Sequence, residues 1–203
     1  ADARPIFDWR QVLHTGGSAG ELGATRVFDL VASTFPPGTT FTLINDSAPP
    51  MSSDYLTTCL QQQWRELWGF DSTFLADCGS ACPDPNDYGV DWPLYLANKY
   101  TNGNSGLISS VADWVISFFY GFGLNDCNPP AIPVLPAADF EAGLMDFRAT
   151  IQNVPNFGTY YLGGSAHTWI AARRFYETTV DGVRLVDWFR DLVEGNPPAH
   201  VGP

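Results

Sequence analysis

The stretch Gln11-Val12-Leu13-His14-Thr15-Gly16-Gly17-Ser18-Ala19-Gly20 places Gly-x-Ser-x-Gly between a strand-like run and a helix-like run, Glu21 to Phe35. This feature most constrains the fold. A serine with glycines two before and two after it suits a strand that turns sharply into a helix, because the glycines leave room for the close approach of the two elements. Such a nucleophile elbow projects the Ser18 hydroxyl clear of the backbone. It also puts the Ala19 N–H at a helix N-terminus, where partial positive charge stabilises an oxyanion. The chain holds 19 glycines, so the five-residue match alone also fits a plain structural turn, and the rest of the sequence has to decide.

A dinucleotide reading competes for the same residues. Thr15-Gly16-x-x-x-Gly20-x-x-Gly23 is close to the glycine-rich turn of a short-chain dehydrogenase, and Tyr95-x-x-x-Lys99 matches that family's catalytic pair. The last glycine comes one residue late, however, and no acidic residue ends a second strand where ribose recognition needs one.

A chain of 203 residues, 45% hydrophobic and 14% aromatic, has enough apolar surface for one large core. No apolar run approaches the ~20 residues that span a bilayer. The formal charge of −12, with no basic cluster, argues against nucleic acid and anionic membranes as partners. Cys59, Cys78, Cys82 and Cys127 fall in the loop-rich middle. A zinc half-site at Cys78 and Cys82 would need further ligands, and His14, His167 and His200 lie far away in sequence. An even cysteine count in an acidic chain instead predicts disulfides, with three pairings open, and a secreted or periplasmic protein. Ala1 reads as the start of a processed or trimmed chain.

Periodicity predicts a strand over 11–15, a helix over 20–35 ended by Pro36-Pro37-Gly38, and a strand over 40–44. A helix over 54–69 follows, with Leu56, Leu60, Trp64, Leu67 and Trp68 on one face. Residues 54–105 read as a cysteine-stapled excursion containing a short helix near 92–100. Strands over 105–110 and 157–162, a helix over 137–153, and a last helix from Val183 to Glu194 complete the pattern. Alternating strands and helices imply an α/β fold with a mainly parallel sheet covered on both faces.

Sites in such sheets form beyond the carboxyl ends of the strands. The residues there, in chain order, are Ser18, Asp46, Asp113 and His167, which is the order nucleophile, acid, base. His167 sits in a glycine-loosened loop, Gly163-Gly164-Ser165-Ala166-His167, and an imidazole accepts a serine proton near neutral pH without an extreme pKa shift. Asp113 follows the strand 105–110 and is the first choice of acid. Asp46 is the alternative, with helix or turn capping as its plainer role. Asp126 and Asp146 read as solvated residues, His14 as a core or supporting residue, and His200 as part of the tail.

Four segments carry a family resemblance: Thr15 to Gly20, Ile44-Asn45-Asp46-Ser47, Leu107 to Asp113, and Gly163 to Thr168. With the ends Gly182-Val183 to Asp187-Trp188 and Val201-Gly202-Pro203, the chain resembles the pectin acetylesterase/Notum family of α/β-hydrolases. The resemblance implies an α/β-hydrolase fold and hydrolysis of carboxylic esters without metal or cofactor, with Ser18, Asp113 and His167 as the triad and Ala19 in the oxyanion hole. Glu21 departs from it, since the family commonly continues with glycine there. A complete fold of this kind has about four strands before the nucleophile strand, one of whose loops gives a second oxyanion donor. The expectation is therefore a C-terminal half held to an N-terminal partner chain from the same precursor. The substrate would be an acetylated polysaccharide, a short-chain acyl ester or a polyester. An alternative is a non-catalytic binding protein that kept the fold. The aromatic excursion, Trp64 to Tyr95, reads as a satellite core or a cleft lining.

Overall fold

The computed structural model describes residues 10–128, 130 and 133–203. Ala1, read above as a trimmed start, lies outside the described residues. Strands β1 (Gln11–Gly17), β2 (Thr40–Asp46), β3 (Ser105–Ser110) and β4 (Phe157–Leu162) lie side by side in chain order, all parallel. The two-residue strands β5 (Thr179–Val180) and β6 (Val183–Arg184) form an antiparallel hairpin, and β7 (His200–Val201) joins the main sheet beside β4, also parallel.

Helix α1 (Ala19–Ala32) makes the crossover from β1 to β2. It ends three residues short of the expected boundary, because Ser33 and Thr34 donate to Asp29 and Val31 in tightening turns. A proline also disfavours helical backbone in the residue before it, here Phe35. Helices α2 (Thr58–Trp68), α3 (Phe74–Cys78) and α4 (Asp91–Lys99) occupy the excursion between β2 and β3. On α2, Leu60 is buried, whereas Leu67 and Trp68 point to solvent, so the expected apolar face is narrower. Helices α5 (Trp114–Gly121) and α6 (Ala137–Ile151) lie between β3 and β4, with α7 (Arg174–Glu177) and α8 (Leu185–Val193) after β4.

Strand alternation divides the core between the faces of the sheet. Leu107 and Tyr161 point to the side of α2, α5 and α6, where Leu60, Ile116, Phe140 and Phe147 meet them. Phe41 and Leu43 face Phe28 of α1, and Phe74 and Trp92 extend this cluster, so much of the aromatic excursion is core. On the opposite side, Ile44, Ile108 and Tyr160 meet Leu185, Trp188 and Leu192 of α8, spaced to share one helix face. Burial of each such side chain contributes about 1.5–3 kcal/mol. Gly106 lets α8 close on β3, since a Cβ there would stand 2.6 Å from Leu192 Cδ1.

Cys59 pairs with Cys127 and Cys78 with Cys82, which selects one of the three pairings and accounts for the Cys78–Cys82 spacing without a metal. The first bridge ties α2 to the segment after α5. Disulfides of this kind belong to oxidising compartments. No described helix is long and apolar enough to cross a membrane.

Candidate active site

The carboxyl ends of β1 to β4 bring Ser18, Asp46, Asp113 and His167 to one edge of the sheet. Ser18 has φ 57° and ψ −130°, the sharp turn between β1 and α1. Its N–H donates to the Asp46 carbonyl at 2.9 Å, prolonging the β1–β2 ladder into the turn. Ser18 occupies the N-cap position of α1, yet its side chain makes no capping bond. The hydroxyl is therefore not committed to the helix. Gly16 is required here: a Cβ on it would stand 2.7 Å from the backbone of Gly20 and Glu21. Ala19 opens α1, so its N–H belongs to the N-terminal donors that have no intrahelical acceptor.

Asp113 and His167 are joined. His167 Nδ1 lies 2.7 Å from Asp113 Oδ2, with the Asp113 side chain fully buried and that of His167 17% exposed. Asp113 Oδ1 accepts from the N–H groups of Val115 and Ile116, so this carboxylate also caps α5. Burial raises the Asp113 pKa, opposed by the bonds from His167 and the two amides. No hydrogen bond links Ser18 Oγ to His167 among the described residues. Their loops meet through neighbours instead: a Cβ on Gly17 would lie 3.5 Å from Thr168 Cγ2.

Asp46 does not bond to His167. Its carboxylate accepts from the N–H groups of Trp169, at 2.8 and 3.0 Å to its two oxygens, and Ile170, at 2.9 Å, and from Ser47 Oγ. It thus anchors the loop that carries His167, because that loop folds back over β2 and presents backbone amides to it. Ser47 Oγ in turn accepts from Thr168 N–H, and Ser110 Oγ donates to the Ala166 carbonyl at 2.6 Å. Arg174 of α7 completes the clamp, donating to the carbonyls of His167 and Thr168 while its guanidinium lies 4.6 Å from the Trp169 ring centroid. Ser47, Ser110 and Arg174 carry no sequence signal, because their roles depend on the path of the His167 loop.

Three non-glycine residues in left-handed backbone, Ser18, Ser47 and Thr168, gather at this edge. Each such conformation costs of order 1–3 kcal/mol and persists only where its surroundings over-determine it.

The remaining candidates lie elsewhere or act differently. His14, on β1, bonds through Nε2 to the Ala24 carbonyl and packs edge-on against Phe28, a structural role. His200 is a strand residue of β7 bonded to Thr159, not a loose tail. Asp126 is exposed in a turn, whereas Asp146 accepts from Ser52 Oγ and is not merely solvated. Tyr95 and Lys99 do touch, at 2.9 Å, but Lys99 also pairs with Asp29 near the end of α1, toward the sheet edge opposite Ser18. That separation removes them from any site built around the glycine turn.

No protein-family model and no curated protein matches the chain. A solved structure of the Wnt deacylase Notum from Drosophila matches 89% of the chain with a TM-score of 0.54 and 16% sequence identity. The chain spans 51% of that structure, about half its length. The likeness is one of fold, and the fold is the α/β-hydrolase arrangement expected from the elbow strand onward.

Proposed function

We propose that this chain carries the catalytic triad of a serine hydrolase acting on carboxylic esters. The observation that supports it best is the buried Asp113–His167 pair at the same end of the sheet as an uncommitted serine on a strained strand-to-helix turn. His167 takes the Ser18 proton as Oγ attacks the ester carbonyl. Asp113 holds Nδ1–H, which leaves Nε2 as the base and stabilises the imidazolium. The tetrahedral oxyanion is met by the Ala19 N–H, each lost donor costing about 3–4 kcal/mol. His167 then protonates the leaving alcohol, and water releases the acyl group from Ser18.

The acyl group sits on an apolar platform. Trp114, Phe118, Phe119 and Phe122 are exposed on and just after α5, starting one residue from Asp113. The deacylase named in the solved neighbour supports acyl release as the chemistry. Acetylated polysaccharide, short acyl esters and polyesters remain the substrate classes, and the protein acts in a secreted or periplasmic setting. A partner chain carrying the strands that precede the elbow covers the edge of β1 left unpaired among the described residues and gives the second oxyanion donor.

Intact mass spectrometry after treatment with a fluorophosphonate tests this reading. One adduct is expected, mapping to Ser18 and lost in Ser18→Ala together with ester turnover. An unlabelled Ser18 in the native protein would instead favour the non-catalytic binding reading.

A further inference from the structure

Glu21, three residues after Ser18 in the first turn of α1, is wholly buried. A buried carboxyl group is costly unless its oxygens are bonded. Thr25 Oγ1, one turn further along α1, donates to Oε1, and the backbone of Glu21 packs against Gly16 at the end of β1, where a Cβ would stand 2.7 Å from Glu21 N. Glu21 therefore ties together both sides of the turn that holds Ser18. Its Oε2 has no protein partner, and neither has Arg26 Nε. Both residues border the same cavity of about 50 Å³. A water needs about 10–15 Å³, so the cavity has room for one.

We infer that Glu21 is a positioning residue for Ser18, packed against Gly16, its carboxyl group bonded to Thr25 and, through a water in this cavity, to the Arg26 guanidinium. The water accepts from Arg26 Nε and donates to Glu21 Oε2, which satisfies both orphaned atoms. The strain at Ser18 needs such an over-determined surrounding. Glu21 supplies it from beneath the turn without touching substrate. This inference rests on Ser18 being the nucleophile.

The test compares Glu21→Gln and Glu21→Leu in the native protein. Gln keeps an acceptor for Thr25 and a polar group for the water; Leu keeps the bulk and removes both. Glu21→Gln is expected to label with the fluorophosphonate at close to the wild-type rate. Glu21→Leu is expected to label and turn over about 10- to 100-fold more slowly with KM little changed, the mark of a displaced nucleophile. Hydrogen exchange at residues 16–20 should rise in Glu21→Leu and not in Glu21→Gln. Wild-type labelling and exchange in Glu21→Leu would overturn the inference, as would equal damage in both variants. If wild type itself does not label, the nucleophile reading fails, while the exchange comparison still reports whether Glu21 fixes the turn.

Discussion

The two oxygens of Asp113 face different donors, Oδ2 the imidazole of His167 and Oδ1 the first amides of α5, so its two roles are separable by substitution. Asparagine caps helices as well as aspartate does, but an amide N–H₂ facing His167 Nδ1 forces the wrong tautomer. Asp113→Asn is expected to fold with nearly wild-type stability while turnover falls by about 10⁴-fold. Asp113→Ala should lose about 1 kcal/mol more through the missing cap. Asp46→Asn should behave differently: its carbonyl oxygen replaces only Oδ2, which holds Trp169 and Ile170, and an N–H₂ in place of Oδ1 loses the acceptor of the buried Ser47 hydroxyl, at about 1–3 kcal/mol. Stability by urea unfolding should therefore drop in Asp46→Asn, and activity with it as the His167 loop loosens. Glu21 gives the pH prediction at this scale. Burial first of all, with the Asp46 charge adding to it, raises its pKa well above 4.5, while Thr25, Gly16 and the Arg26 guanidinium act against this; Tyr88 and Tyr120 also face the cavity. A raised folded value means that the native state holds the proton more tightly than the unfolded chain. The contribution is thus full below 4.5 and is lost as pH rises through the folded value. The Tm of wild type should fall relative to Glu21→Gln as pH rises from 4.5 to the folded value and level off above it, and parallel curves would show that Glu21 does not titrate there.

Among the elements, the bridge between α2 and the segment after α5 closes 68 residues, whereas Cys78–Cys82 closes only 4. The chain-entropy cost removed from the unfolded state grows with loop length, so the long bridge contributes more, about 2–4 kcal/mol. The pair Cys59→Ser with Cys127→Ser should lower the urea midpoint clearly more than Cys78→Ser with Cys82→Ser. Equal shifts would assign the stabilisation to local packing. The long elements were legible in the sequence because they are periodic: β3 and β4 fall where their apolar runs predict, and α6 ends within two residues of expectation. The short ones were not. Strand β7 has two residues beside prolines and is held from outside, by Arg148 donating to the carbonyls of Val201 and Gly202. The β5–β6 hairpin did have a signal, Asp181-Gly182 in left-handed backbone, the usual two-residue turn between paired strands. Its strands are too short to show alternation, and Val183–Arg184 read as the start of α8. Ser18 and His167 fall where motif and strand order put them, beyond the carboxyl ends of β1 and β4, whereas the bonds of Asp46 depended on a loop folding back across the sheet.

At the scale of the whole molecule, apolar exposure lies along the outer side of the first crossover. Strand β1 alternates between exposed and half-buried, while β3 and β4 are buried throughout. Leu13 on β1 and Val27 and Leu30 on α1 are exposed, Leu30 at 69%. A groove of about 530 Å³ runs along α1 between Leu22, Val27 and Leu30 on one side and Trp68, Phe70 and Phe74 on the other. Parallel sheets are covered on both faces, and an unpaired apolar edge strand templates association. The handedness of β–α–β connections adds a direction. A strand paired to the edge of β1 that is unpaired among the described residues, and connected to it in the same right-handed sense, places its helix on the same face as α1, over this groove. The partner chain proposed above would bury Leu30 and Val27 in this way. The present chain on its own should therefore self-associate, despite a net charge of −12 that favours solubility. Leu30→Glu should shift it toward monomer in sedimentation velocity, since it places a charge at the most exposed apolar position of that face. In the protein with its partner the same substitution should weaken assembly and reduce ester turnover, while Leu67→Glu, exposed on α2 and outside the groove, should leave both unchanged. A wild-type chain that stays monomeric and fully active alone would show that the edge of β1 needs no partner.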